Sequence, residues 1–189
     1  MKLGSLAEIK IGLILARKEG AGESSSRYRA LTVKSVDGDG IINDENIQPF
    51  RSKALLDGPY LAKPDDVVVR LTPPYTAAHI HKQHAGILIP SHFAIITLKD
   101  SSVLLPEFLT VFVNSNYAKK EIERLVIKGN STGLTVNTLS LLELKEITVA
   151  EQRKIIELTR LQRREKALYQ RLIAEKELFY QETITRIMN

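Results

Sequence analysis

Cysteine is absent from all 189 residues. That excludes a disulfide framework and any thiolate metal site, and it fits a reducing cytosol. Long apolar runs are also missing, and the opening Met1-Lys2-Leu3-Gly4-Ser5-Leu6-Ala7-Glu8 carries a glutamate where a signal peptide would have its apolar segment. The expectation is a cytoplasmic protein with no membrane partner. Charge of one sign is not concentrated in the body of the chain: of the net +5, +3 falls on Ala150 to Asn189 and only +2 on Met1 to Val149. Any nucleic-acid function must therefore rest on local basic patches. There is no P-loop order, no glycine-rich methyl-donor motif, no Ser/His/Asp signature and no internal repeat. No cofactor is expected.

Glycine and proline are missing from Ala150 to Asn189, so nothing there interrupts a helix. Thr148-Val149-Ala150-Glu151 has the form of a capping box and sets the helix start. Leu158, Leu161, Leu168, Leu172 and Phe179 recur at helical spacing, and Ile184 and Ile187, with Tyr169, Ile173 and Tyr180, widen the stripe. At 1.5 Å per residue the helix is about 58 Å long. A domain of the remaining residues is about 40 Å across. The helix overhangs its own domain, and its stripe needs a partner. Glu165 and Glu175 interrupt strict heptads, which favours antiparallel self-association over a parallel zipper.

The body mixes short strand and helix patterns without βαβ alternation, which predicts an α+β fold. Strands are expected at residues 3–15, with Ile9, Ile11, Leu13 and Leu15 on one face, at 30–36, at Val67-Val68-Val69, in 86–98 with a break at Pro90, and around Glu146-Ile147. Helices are expected over 104–113 and 116–126, with Pro106 in a first turn and Ser115 as a cap, and near Asn137. Asp37-Gly38-Asp39-Gly40 reads as a turn. The division is 1–147 for the globular domain and 148–189 for the helix.

Chemistry-bearing residues gather in three stretches. The polar segment from Arg17 to Arg29 holds Arg17, Lys18, Arg27, Tyr28 and Arg29 and reads as a loop able to touch phosphates. After the valine strand, Arg70, Thr72, Tyr75, Thr76, His79, His81 and Lys82 form a polar, partly cationic stretch. Thr72-Pro73-Pro74-Tyr75 is similar to the Asn/Asp-Pro-Pro-Tyr motif of adenine-N6 methyltransferases, but threonine stands first and the donor motif is missing, so catalysis is not assigned. His79, His81 and His84 are close enough for a metal; with no acid or cysteine near them in sequence, no metal is assigned. Lys128, Ser131 and Thr132 belong to a glycine-bounded loop.

In order and spacing, these segments resemble the specificity subunit of a type I restriction-modification system. The resemblance runs over nearly the whole chain, from Leu3-Gly4-Ser5-Leu6-Ala7-Glu8-Ile9 through Tyr28-Arg29-Ala30-Leu31-Thr32-Val33-Lys34, Lys63-Pro64-Asp65-Asp66-Val67-Val68-Val69 and Gly129-Asn130-Ser131-Thr132-Gly133 to Glu151-Gln152-Arg153-Lys154-Ile155. The prolines that often precede Glu-Gln in that family are absent from Thr148-Val149-Ala150. The resemblance implies a non-catalytic, half-length subunit with one target-recognition domain. Its long helix would form an intermolecular antiparallel coiled coil in a homodimer that reads a split palindrome in double-stranded DNA. Methyltransferase subunits and a restriction subunit, which translocates and cleaves, are the implied further partners. Arg17, Lys18, Arg27, Arg29 and Lys128 are then candidates for phosphate contacts, and Arg70, Thr72, Tyr75, Thr76, His79, His81 and Lys82 for base edges. The alternative is a dimeric scaffold or regulator that has lost DNA reading, with a methyltransferase fragment a third option.

Overall fold

The computed structural model describes residues 1–20, 26–56, 58–130 and 132–188. An antiparallel sheet is the centre of the fold. Its strands are β1 (Ala7–Ile11), β4 (Val67–Arg70), β5 (Ala77–His79) and β6 (Phe93–Leu98), in the order β1-β6-β4-β5. Strands β2 (Ser26–Ala30) and β3 (Gln48–Ser52) form a separate two-stranded ribbon. A helical turn, α1 (Leu3–Leu6), precedes β1, and α2 (Pro106–Asn114), α3 (Asn116–Lys128), α4 (Val136–Ser140) and α5 (Val149–Met188) follow the last strand.

The valine run is wholly buried because both faces of the sheet are covered. Val67 and Val69 join α2, α3, α4 and the start of α5 in one core, whereas Val68 packs on the other face with Leu31, Ala78, Ile80, Ile89 and Phe93. Alternation along the strand thus sends successive valines into two different cores. A third cluster, with Ala30, Phe50, Leu56 and Leu88, lies under the ribbon. Leu88 anchors the end of β2: its N–H donates to the Arg29 carbonyl at 2.8 Å, and its carbonyl accepts from Leu31 at 2.9 Å.

The outer edge at β5 is covered. Asn114 accepts from the Ala77 N–H and donates to the Ala77 carbonyl, both at 2.8 Å, replacing the missing neighbour strand. Gly40, at φ +76°, passes so close that a Cβ would stand 2.2 Å from the Ala77 carbonyl. Only glycine meets both demands.

Several expectations shift. Residues 3–15 are not one strand: Leu3–Leu6 turn helically, β1 stops at Ile11, which is exposed, and Leu15 enters a 3-10 turn. The strand expected at 30–36 lies earlier, at Ser26–Ala30; Thr32 caps a 3-10 turn by accepting from the Ser35 N–H at 3.1 Å. That local hydroxyl bond competes with the ladder and wins. Pro90 breaks the 86–98 segment, and β6 begins only at Phe93. No strand forms at Glu146-Ile147; the neighbouring Glu143 bridges Lys2 instead. The helices follow expectation, with Pro106 in the first turn of α2 and the Ser115 hydroxyl accepting from Ala118 at the start of α3.

The terminal helix runs from Val149 to Met188, about 60 Å. Thr148 and Glu151 form the capping box, the threonine N–H donating to the carboxylate at 2.8 Å and the glutamate N–H to the hydroxyl at 3.3 Å. Gln152 is buried and fully engaged: it accepts from the Leu105 N–H and donates to the carbonyls of Val103 and Ile147. Ile156 enters the main core. Further along, Arg160 meets Glu107 at 2.7 Å, Arg163 donates to the Asp39 carbonyl, and Lys166 meets the Asp39 carboxylate at 2.6 Å. At 100° per residue, Gln152, Ile156, Thr159 and Arg163 share one face, and Leu158, Leu161, Leu168, Leu172 and Phe179 lie on the opposite one. All five of those stripe residues are exposed, and Ile187 with them, whereas Ile184 is half-buried. The stripe cannot fold back onto the domain that holds the helix. No helix is long and apolar enough to cross a membrane among the described residues.

Candidate nucleic-acid interface

The ribbon carries an exposed basic surface. Arg27 stands directly opposite Arg51, and Tyr28 opposite Phe50. Period-two alternation turns Arg27, Arg29 and Arg51 outward and Tyr28 and Phe50 inward, in agreement with their burial. The Tyr28 hydroxyl accepts from the Leu56 N–H at 2.8 Å, so this aromatic ring supports the ribbon from beneath. The stretch before the ribbon lies along it: Lys53 donates its N–H to the Lys18 carbonyl at 3.0 Å, and Gly20 donates to Arg51 at 3.1 Å. Arg17, Lys18 and Lys53 are exposed beside it. Among the described residues, Arg17, Lys18, Arg27, Arg51 and Lys53 make no ion pair; Arg29 alone is paired, with Asp44 at 2.6 Å. The Arg29 guanidinium, followed by His84, holds the Asp44 carboxyl below its usual range.

Arg51 and Lys53 were not among the sequence candidates. Their signal was present but depends on pairing: a single basic residue in a short strand acquires meaning only when the register sets it against another.

The second group divides. The tip beyond β4 presents Thr72, exposed, with the Arg70 Nε donating to its hydroxyl at 2.9 Å. The 128–134 loop reaches this tip, because the Leu134 N–H donates to the Leu71 carbonyl at 3.0 Å; Lys128 and Thr132 are exposed there. Ser131 lies outside the described residues. Tyr75 and Thr76 are 5% and 4% exposed, and Tyr75 belongs to the main core. A buried ring offers no face to a flipped base, which removes the structural basis of the methyltransferase-like reading. The Pro73–Pro74 bond is cis.

His79, His81 and Lys82 occur at the other end of the β4/β5 hairpin, since Val67 pairs with His79 and Val69 with Ala77. They line or adjoin a cleft shared with Glu107, Thr110 and Arg160. The acid that is missing near the histidines in sequence is supplied by α2: Glu107 Oε1 is 4.0 Å from His79 Nδ1. Burial, and next the neighbouring His79, lowers the His81 pKa. The cleft meets the ribbon through Asp44, which contacts both Arg29 and His84.

Neither a family model nor a curated protein matches this sequence. Solved structures do. An HsdS subunit from Thermoanaerobacter tengcongensis superposes over 93% of this chain with a TM-score of 0.69 and 18% identity, yet only 44% of that subunit is covered. The fold is that of half an HsdS subunit. A chain from a structure describing complex assembly and conformational transition of the type I R-M system is similar over 93% of this chain and 44% of its own length, with a TM-score of 0.61 and 17% identity. The S subunit of the type I system of M. genitalium covers 93% and 41%, with a TM-score of 0.52 and 12% identity. This chain therefore spans less than half the length of the HsdS-fold chains it matches. At these identities the common property is the fold.

Proposed function

We propose that the chain is a non-catalytic DNA-recognition half-subunit of a type I restriction-modification complex. The observation that carries this reading is the Arg27–Arg51 pair on a two-stranded ribbon, set in a fold that matches half of an HsdS subunit. Like charges directly opposite one another oppose strand pairing, so an anionic partner that neutralises them is favoured. The major groove, about 12 Å wide, admits a two-stranded ribbon. Arg17, Lys18, Arg27, Arg51 and Lys53 would then meet phosphates, and Arg29, Lys82, Thr72 and Thr132 are the exposed polar candidates for base contacts.

The outward stripe of α5 supports a homodimer, because it faces away from its own domain. An isologous antiparallel pairing brings each stripe against its symmetry mate. Two identical readers then address inverted half-sites separated by an unread spacer. Methyltransferase and restriction subunits would supply the chemistry on this scaffold.

Selection of bound duplexes from a random pool, followed by titration at several salt concentrations, tests the reading. The expected product is an interrupted palindrome with a steep salt dependence. Recovery of unenriched duplexes, with and without a methyltransferase subunit, supports the scaffold alternative instead.

A further inference from the structure

We infer that His79, His81 and Glu107 form a binding site for a zinc-class divalent metal ion. His79 ends β5, His81 follows on the same side two residues later, and Glu107 enters from the first turn of α2. One ligand atom from each lies within 4.8 Å of the others, and the two imidazole rings stand 4.5 Å apart, edge to face.

The hydrogen bonding of His79 is the second, independent observation. Its Nε2 lies 3.0 Å from the Asp65 carboxylate, and its side chain is only 10% exposed. Its Nδ1 is buried and has no hydrogen-bond partner among the described residues. A ligating histidine ordinarily gives its far N–H to a carboxylate, which fixes the tautomer and directs the other nitrogen's lone pair at the metal. With Nε2–H donated to Asp65, the Nδ1 lone pair points into the cluster toward Glu107 Oε1, 4.0 Å away and too far for a hydrogen bond. Two acceptors facing each other across that gap call for a cation between them.

Glu107 is held by Arg160, whose Nη2 lies 2.9 and 2.7 Å from its two oxygens. A carboxylate oxygen has a second lone pair, so Oε1 can ligate while the guanidinium keeps the group in place. Metal–nitrogen and metal–oxygen distances of about 2.0–2.2 Å require the three atoms to draw together slightly. His81, exposed at the edge of the cleft, is free to make that adjustment. Two imidazoles and one carboxylate select zinc or a neighbouring transition ion over magnesium or calcium, with a fourth position left to solvent. The ion would fasten the end of β5 to α2 beneath α5, and the site does not depend on DNA reading.

The test uses the full chain, expressed without a histidine tag and stripped with a chelator. Titration with cobalt, followed by visible absorption and competition with zinc, should show about one tetrahedral site per chain. H81A should weaken binding by at least about tenfold, and D65N, which tolerates the left-handed backbone at that position, by about tenfold without touching a ligand. H92A, at an exposed histidine outside the cleft, should leave affinity unchanged. Circular dichroism of each variant shows that the fold persists. No cobalt uptake, or uptake that H81A does not alter, overturns the site.

Discussion

Arg27 and Arg51 face each other across the β2/β3 ribbon, and neither makes an ion pair among the described residues. R51A should lower affinity for all duplexes alike and reduce the slope of log affinity against log salt by about 1. Folding stability should be unchanged or higher by a few tenths of a kcal/mol, since cross-strand repulsion is relieved. Filter binding at several salt concentrations and chemical denaturation read the two effects separately. A loss confined to one base position would reassign Arg51 from phosphate to base contact.

The stripe on α5 predicts a charge-sensitive dimer. Replacing Leu168 and Leu172, both exposed and both on the outward face, with glutamate removes two apolar anchors worth about 1.5–3 kcal/mol each. Association should weaken by at least about a hundredfold, with the domain's circular dichroism intact. Light scattering across a concentration series measures this; a dimer that persists would place the seam elsewhere.

Gln152 joins α5 to the domain through three hydrogen bonds to Leu105, Val103 and Ile147. Q152L leaves those backbone groups without partners in a buried site, at a cost of about 2–4 kcal/mol. The melting temperature should fall by roughly 5–10 °C. Hydrogen exchange should quicken first at the beginning of α5.

The helix cap is sensitive to acid. The Thr148 hydroxyl, and then its backbone N–H, hold the Glu151 carboxyl below its ordinary value of 4.5. A carboxyl whose pKa is depressed on folding contributes stability above its unfolded pKa and loses it as pH falls through the folded one. E151Q should therefore differ most from the parent at neutral pH, and the difference should shrink below about 4.5. Thermal melts from pH 7 to 3 give the curve; a difference that grows with acid contradicts the cap.

Tyr75 separates a core role from a reading role. Y75A should cost about 3 kcal/mol or more in stability, as loss of a buried ring does. T72A, at the exposed tip beside it, should leave stability within about 0.5 kcal/mol and act only on DNA affinity.

The helical elements were legible because their signals are local. Pro106, Ser115 and the Thr148/Glu151 box each act within one turn, and the apolar stripe has a period. Strand limits were less legible, since β1 and β2 end where tertiary bridges to Leu88, Pro90 and Phe93 take over. The Thr72–Tyr75 stretch shows the same limit at the site. Its residue types suit base contacts, but a positive φ of 53° at Tyr75 turns the ring into the core, and no composition reveals that. Glu107 is 28 positions beyond His79 in the chain, so its approach to the histidines depends on how α2 packs on β5.

The docking of α5 along only its first turns makes the remainder a lever arm. Among the described residues the last ion pair from α5 to the domain is that of Lys166, and the helix extends about 33 Å past it. A tilt of about 10° at the base would move the far end by about 6 Å, nearly two base-pair steps. Asp39, which receives both Arg163 and Lys166, would be the fulcrum of such a tilt. In the proposed dimer, a small repacking there would retune the distance between half-sites without altering a single residue that touches DNA.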